Sequence, residues 1–115
     1  MKRVDKPWGG ELWIAHNEHY AFKRIEIKAG HRSSLQYHRA KHEHIYIHSG
    51  RLKATLEDNA GRLADREFGP GEVIENAPGR RHRIEAIDDV VLFEVSTPQL
   101  DDVVRVEDDY RRGDA

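Results

Sequence analysis

The sequence predicts an all-β domain, a sandwich or a closed barrel, and three observations carry that expectation. About eight or nine short segments alternate apolar and polar residues with the period of two that a half-buried strand requires. Gly, Pro, Asn and Asp punctuate these segments every eight to twelve positions or so, the rhythm of hairpin-connected strands. Finally, no stretch of about ten residues or more repeats with the 3.6 period of an amphipathic helix, so the crossover helices of a parallel α/β sheet are missing.

Taken in order, residues 1–11 carry Pro7 and the Gly9-Gly10 pair and read as an irregular lead-in anchored by Trp8. Leu12–His16 is a short strand ended by Asn17-Glu18. Within Tyr20–Lys28, Lys23, Ile25 and Ile27 share one face while Arg24, Glu26 and Lys28 share the other. The isoleucines mark the inward face, so Lys23 points inward with them. Ser33–His38 and Glu43–His48 follow on either side of the polar turn Arg39–His42. In the second of these, Glu43, Ile45 and Ile47 face one way and His44, Tyr46 and His48 the other. Arg51–Glu57, Arg62–Phe68, Glu72–Asn76, His82–Ile87 and Val90–Ser96 complete the series, each bounded by a turn signal such as Ser49-Gly50 or Ala77-Pro78-Gly79. Glu94 reads as surface, and so does the acidic, then basic, tail past Pro98, which has room for one short strand or turn.

The 115 residues are enough for one domain, residues 1–115, with its core over about 12–97 and a tail over 98–115. Hydrophobic residues make up 37% of the chain and mean hydropathy is −0.83, so the core is small. An apolar seam with a second copy would enlarge it, and a homodimer is expected. Nineteen Lys and Arg against 21 Asp and Glu, with no basic stripe, give no electrostatic footprint for nucleic acid. No apolar run approaches the roughly 20 residues of a membrane span, and MKRVDKPWGG lacks a signal-peptide core. The absence of cysteine excludes disulfides, thiolate ligands and cysteine nucleophiles. A cytoplasmic protein without membrane contact is the expectation.

The chemistry concentrates between Gly30 and Gly50. Gln36 and His38 stand two apart on a strand and so leave from one face. Glu43 follows beyond a turn, and His82 arrives from a second Gly/Pro-rich stretch. One amide oxygen, two imidazoles and a carboxylate form a mixed N/O set for a divalent ion, with Zn, Mn, Fe, Co and Ni all compatible. Around that set, Lys23 is the candidate catalytic group, able to bind an anion or relay a proton from an inward strand position. Arg80, Arg81 and Arg32, close in sequence to the ligand segments, are candidates to bind a phosphate or carboxylate through their guanidinium forks. His42, in the turn, is a candidate to touch substrate. His44 lies on the strand face opposite Glu43 and reads as surface or dimer packing.

These segments resemble the cupins, whose signature is G-x5-H-x-H-x4-E-x6-G followed by G-x5-P-x-G-x2-H-x3-N. Gly30, Gln36, His38, Glu43 and Gly50 match the first motif at every spacing, with Gln36 in place of the first histidine. Gly71, Gly79 and His82 match the second, with Ala77 at the proline position and Ala86 at the asparagine position. The glutamine is similar to the phosphomannose isomerase branch, whose ligand set is Gln, His, Glu and His. Lys6–Gly9, Tyr20–Ile25, Ser34–Gln36 and Asp101–Arg112 also resemble the cupin domain of bacterial type II enzymes, which join mannose-6-phosphate isomerase to GDP-mannose pyrophosphorylase. The resemblance implies a double-stranded β-helix jelly roll whose tail packs on the barrel. It also implies a metal held by Gln36, His38, Glu43 and His82, a sugar or sugar phosphate as ligand, and aldose–ketose isomerisation through an enediolate in carbohydrate metabolism. Nothing in the chain corresponds to the nucleotidyltransferase portion, so pyrophosphorylase activity is not expected. Two alternatives remain on the sequence, a non-catalytic sugar-binding cupin and another metal-dependent cupin enzyme (dioxygenase, decarboxylase or lyase).

Overall fold

The computed structural model describes residues 1–111 of the chain; residues 112–115, the end of the predicted tail and of the motif running to Arg112, lie outside the described residues. Eleven strands form among the described residues, and no helix. They are β1 (Lys2–Lys6), β2 (Gly9–His16), β3 (Ala21–Ile27), β4 (Leu35–Tyr37), β5 (Glu43–Ser49), β6 (Leu52–Glu57), β7 (Leu63–Phe68), β8 (Val73–Asn76), β9 (His82–Ala86), β10 (Val90–Ser96) and β11 (Val104–Glu107). One sheet runs β1-β2-β3-β10-β5-β8 and the other β11-β4-β9-β6-β7, with every pairing antiparallel. Face to face, the two sheets make a small jelly roll.

Alternation decides what fills it. In β3 the buried residues are Ala21, Lys23, Ile25 and Ile27, and in β5 they are Glu43, Ile45 and Ile47. Ile74 and Leu92 from the longer sheet meet Leu52, Ala54, Ile84 and Ala86 from the shorter one in a single cluster. That cluster occupies one end of the barrel. Towards the other end the same inward positions turn polar, with Lys23 beyond Ile25, Glu94 beyond Leu92, Glu43 before Ile45, Asn76 after Ile74 and His82 before Ile84, all buried. An apolar end supplies cohesion, and a polar end collects the chemistry.

The turn at Gly50 shows how tightly the motif glycine is specified. Its φ is +82°, and a Cβ there would stand 2.2 Å from the carbonyl oxygen of Asp89, so neither the conformation nor the space suits another residue.

One expectation changes. The lead-in is ordered, because Pro7-Trp8 forms a two-residue turn joining Lys6 to Gly9 and residues 2–16 fold as a hairpin on β3. Past residue 97 the tail holds one short strand, β11, which adds to the edge of the shorter sheet through its pairing with β4.

Candidate metal and sugar-handling site

His38 sits just past β4, Glu43 opens β5 and His82 opens β9, and all three are 3% exposed. One ligand atom from each lies within 4.8 Å of the others. The Nε2 atoms of His38 and His82 stand 3.6 and 3.4 Å from Glu43 Oε1. Gln36 lies in register with His82 across β4 and β9, and Gln36, Glu43 and His82 line one inward pocket. Its amide oxygen accepts a hydrogen bond from the buried Ser34 hydroxyl at 2.6 Å, which leaves a second lone pair.

The surrounding backbone sets the orientation of both imidazoles. His38 Nδ1 donates to the carbonyl of Asp102, and His82 Nδ1 donates to that of Arg80 at 3.0 Å. A carbonyl only accepts, so each Nδ1 carries the proton, and the two buried Nε2 atoms have no hydrogen-bond partner. Burial depresses the His82 pKa against the pull of Glu43, keeping that ring neutral. Burial would raise the Glu43 carboxyl, but the Lys41 ammonium beside it outweighs burial and holds Glu43 well below the usual carboxylate range. Two buried nitrogen lone pairs and a carboxylate oxygen therefore converge on one point. That arrangement is costly without a cation and fits a divalent ion.

A wider polar set supports these groups. Lys41 Nζ bridges Glu43 Oε2 at 3.0 Å and Glu94 Oε2 at 3.2 Å, and Asn76 Nδ2 donates to Glu43 Oε1 at 3.0 Å. The two carboxylates raise the Lys41 pKa despite burial. Lys23 Nζ meets Glu11 Oε1 at 3.2 Å, and the Trp13 indole N–H donates to the same oxygen at 2.9 Å. Burial would raise Glu11, yet Lys23 and the indole N–H hold it below its ordinary value. Lys41, Glu94, Lys23, Glu11 and Trp13, together with Trp8 and Leu100, line a cavity of about 380 Å³ opening on the His–Glu cluster.

Of the sequence candidates, Gln36, His38, Glu43, His82 and Lys23 come together here. Arg80, Arg81, Arg32 and His42 do not. Arg80 donates to Asn59 and to the Glu57 carbonyl, and Arg81 to the Glu57 carboxylate, on a separate cavity of about 260 Å³. Arg32 forms a bidentate pair with Asp109 at 2.6 and 2.8 Å, and His42 bonds Glu75 on the outside of the barrel. Strand phase explains Arg81, since with His82 inward its neighbour must point out. Glu94, expected at the surface, is buried in the cavity. Its place between inward Leu92 and Ser96 on β10 is the signal that finds it. Lys41 and Glu11 had no periodic signal, being in segments read as turn and lead-in.

Asp102 ties the tail to the site. Its carboxylate accepts from the backbone N–H groups of Arg39, Ala40 and Lys41 at 3.0, 2.7 and 2.9 Å, fixing the loop between the ligands while its carbonyl orients His38. Burial opposes ionisation, but those three donors bring its pKa down to about 2, from 3.8. A depressed carboxylate stabilises the fold fully above the unfolded value and loses that stabilisation as pH falls through about 2. Asp102→Ala is therefore expected to melt below the parent at pH 6, with the gap closing as pH falls from about 4 towards 2. Thermal melts across that range check it, and a gap independent of pH would count against the cap.

A small jelly roll with His and Glu side chains converging inward at one end of the barrel is a cupin. The profile of the mannose-6-phosphate isomerase C-terminal family matches residues 1–108, and the chain belongs to that family. It is similar to mannose-1-phosphate guanylyltransferase ManC of Salmonella typhimurium, 32% identical over 96% of this chain and 23% of the relative. The chain thus spans about a quarter of the length of the curated relatives it matches. Among solved structures it superposes on capsular polysaccharide assembling protein CapF from Staphylococcus aureus with a TM-score of 0.78 at 16% identity, over 92% of this chain and 34% of that one. KdgF from Halomonas sp. gives 0.76 at 17% identity, over 88% and 91%. At such identities these two likenesses speak for the fold alone.

Proposed function

We propose that this cupin is a metal-dependent isomerase of the mannose-6-phosphate isomerase type, interconverting an aldose phosphate and its ketose in the cytoplasm. The observation that carries the reading is the pair of unpartnered Nε2 atoms facing Glu43 at the floor of a polar cavity, in a chain of this family. Gln36, His38, Glu43 and His82 would hold the ion, which when bound supplies a Lewis acid for adjacent substrate oxygens.

The chain's own side chains do the rest. Trp8 and Trp13 offer apolar walls for the C–H face of a sugar, a role indole suits. Lys6, Lys23 and Arg105 are cations on the cavity lining that can meet an anionic end. Lys23 Nζ and Glu11 Oε1, hydrogen-bonded in the wall, are the pair assigned to hold and move a proton between neighbouring substrate carbons. Lys41 keeps Glu43 ionised and in place while neutralising Glu94. A homodimer goes with this reading, since an apolar seam with a second copy would enlarge a small core.

The test is turnover of mannose 6-phosphate to fructose 6-phosphate before chelation, after it and after reloading with Zn, Mn, Fe, Co or Ni. Activity that falls at least about tenfold on chelation and returns with one of these ions is expected. Bound metal with no turnover of any sugar phosphate would refute the isomerase and favour a sugar-binding cupin.

A further inference from the structure

We propose that His42, His44 and Glu75 form a second divalent-metal site, on the outer face of the barrel and independent of the inner cluster. The two sites stand back to back across one strand pair. Glu43 pairs with Asn76 and faces inward, while the next rung, His44 with Glu75, faces out. His42 Nε2 lies 2.7 Å and His44 Nε2 3.7 Å from Glu75 Oε2, and one ligand atom from each of the three residues falls within 4.8 Å of the others. The imidazoles stack at 5.4 Å between centroids, with both Nε2 atoms turned to the same carboxylate oxygen.

The scaffold under them is already ordered. The His42 N–H donates to Thr97 Oγ1 at 3.0 Å and its carbonyl accepts from the Thr97 N–H at 3.0 Å, so a loop residue is clamped as firmly as a strand residue. His44 and Glu75 sit on paired strands of the longer sheet. A metal would find three ligands that need little reorganisation, which is the main requirement for affinity at a surface site. The competing interaction is a half-exposed His–Glu pair, screened by solvent and weak. Two imidazoles and one carboxylate select borderline ions (Zn²⁺, Ni²⁺, Cu²⁺) over Mg²⁺ or Ca²⁺, with solvent completing the shell.

Zinc titration of the tag-free, chelator-stripped protein by calorimetry, with metal content read by mass spectrometry, tests this. Two equivalents per chain are expected. His44→Ala and Glu75→Gln should each weaken one of them by about tenfold or more, and neither should touch the equivalent that His38→Ala removes. His44 and Glu75 are more than half exposed on their side chains, so neither variant threatens folding. Unchanged stoichiometry and affinity in both variants would overturn the outer site. Should the inner site fail instead, His38→Ala would change nothing while His44→Ala still removed its equivalent.

Discussion

Replacing Lys41 by methionine is expected to destabilise the protein by about 3–5 kcal/mol, the cost of leaving buried charge without its partner. Lys41 is 5% exposed, and its ammonium is shared between Glu43 and Glu94, 3% and 6% exposed. For a domain of this size the loss corresponds to a fall in melting temperature of roughly 10–20 °C. The effect should depend on pH in a stated direction. Burial and the charge of Glu43 push the Glu94 carboxyl up to about 7, against Lys41 and Lys23. A carboxyl raised in the folded state binds its proton more readily there than in the unfolded chain. Its ionisation therefore costs stability as pH rises from about 4.5 through 7. Without Lys41 the remaining charge is easiest to bear when Glu94 is protonated, so in metal-free protein the deficit of Lys41→Met should be smaller at pH 5 than at pH 8. Melts of both proteins at the two pH values decide this, and a deficit below about 1 kcal/mol at pH 8 would show that Lys41 does not neutralise the pair.

His38→Ala and His82→Ala are each expected to weaken metal binding by on the order of 100-fold or more, since removing even an outer partner of a ligand typically costs 10–100-fold. Each removes one of the two lone pairs aimed at Glu43 Oε1. His48→Ala, on the outward face of β5, should leave the inner equivalent intact. Metal content of the three variants against the parent is the readout, with melts in chelator confirming that each is folded. Parent-level metal in both His38→Ala and His82→Ala would dismiss the ligand assignment.

The barrel and the convergence of Gln36, His38, Glu43 and His82 were legible because both are written in short-range pattern. Two-residue alternation placed Ile25, Ile27, Ile45 and Ile47 inside and carried Lys23 and Glu43 in with them. The same rule reaches Glu94 through Leu92 and Ser96. A carboxylate in an otherwise apolar strand reads as the solvent-facing residue until the charges that compensate it are known, and those come from β3 and from the loop holding Lys41. The position of Lys41 depends on Asp102, 61 residues away, whose carboxylate caps the loop, and no local pattern encodes a contact at that separation. Glu11 was hidden for a related reason. Pro7 and the glycine pair signal a break in structure, whereas here they mark a tight hairpin that delivers Glu11 and Trp13 to the cavity. The arginines misled through proximity in sequence. Arg80 and Arg81 adjoin His82, yet strand phase and the acceptors at Glu57 and Asn59 turn them to a different surface.

The most direct measurement is anomalous diffraction at the zinc edge from crystals of tag-free protein loaded with zinc. A peak within coordination distance of His38 Nε2, His82 Nε2 and a Glu43 oxygen, with the Gln36 amide oxygen turned towards it, is the predicted result. No peak there, in crystals whose zinc content is confirmed by their fluorescence, would contradict a metal centre at the polar end of this barrel.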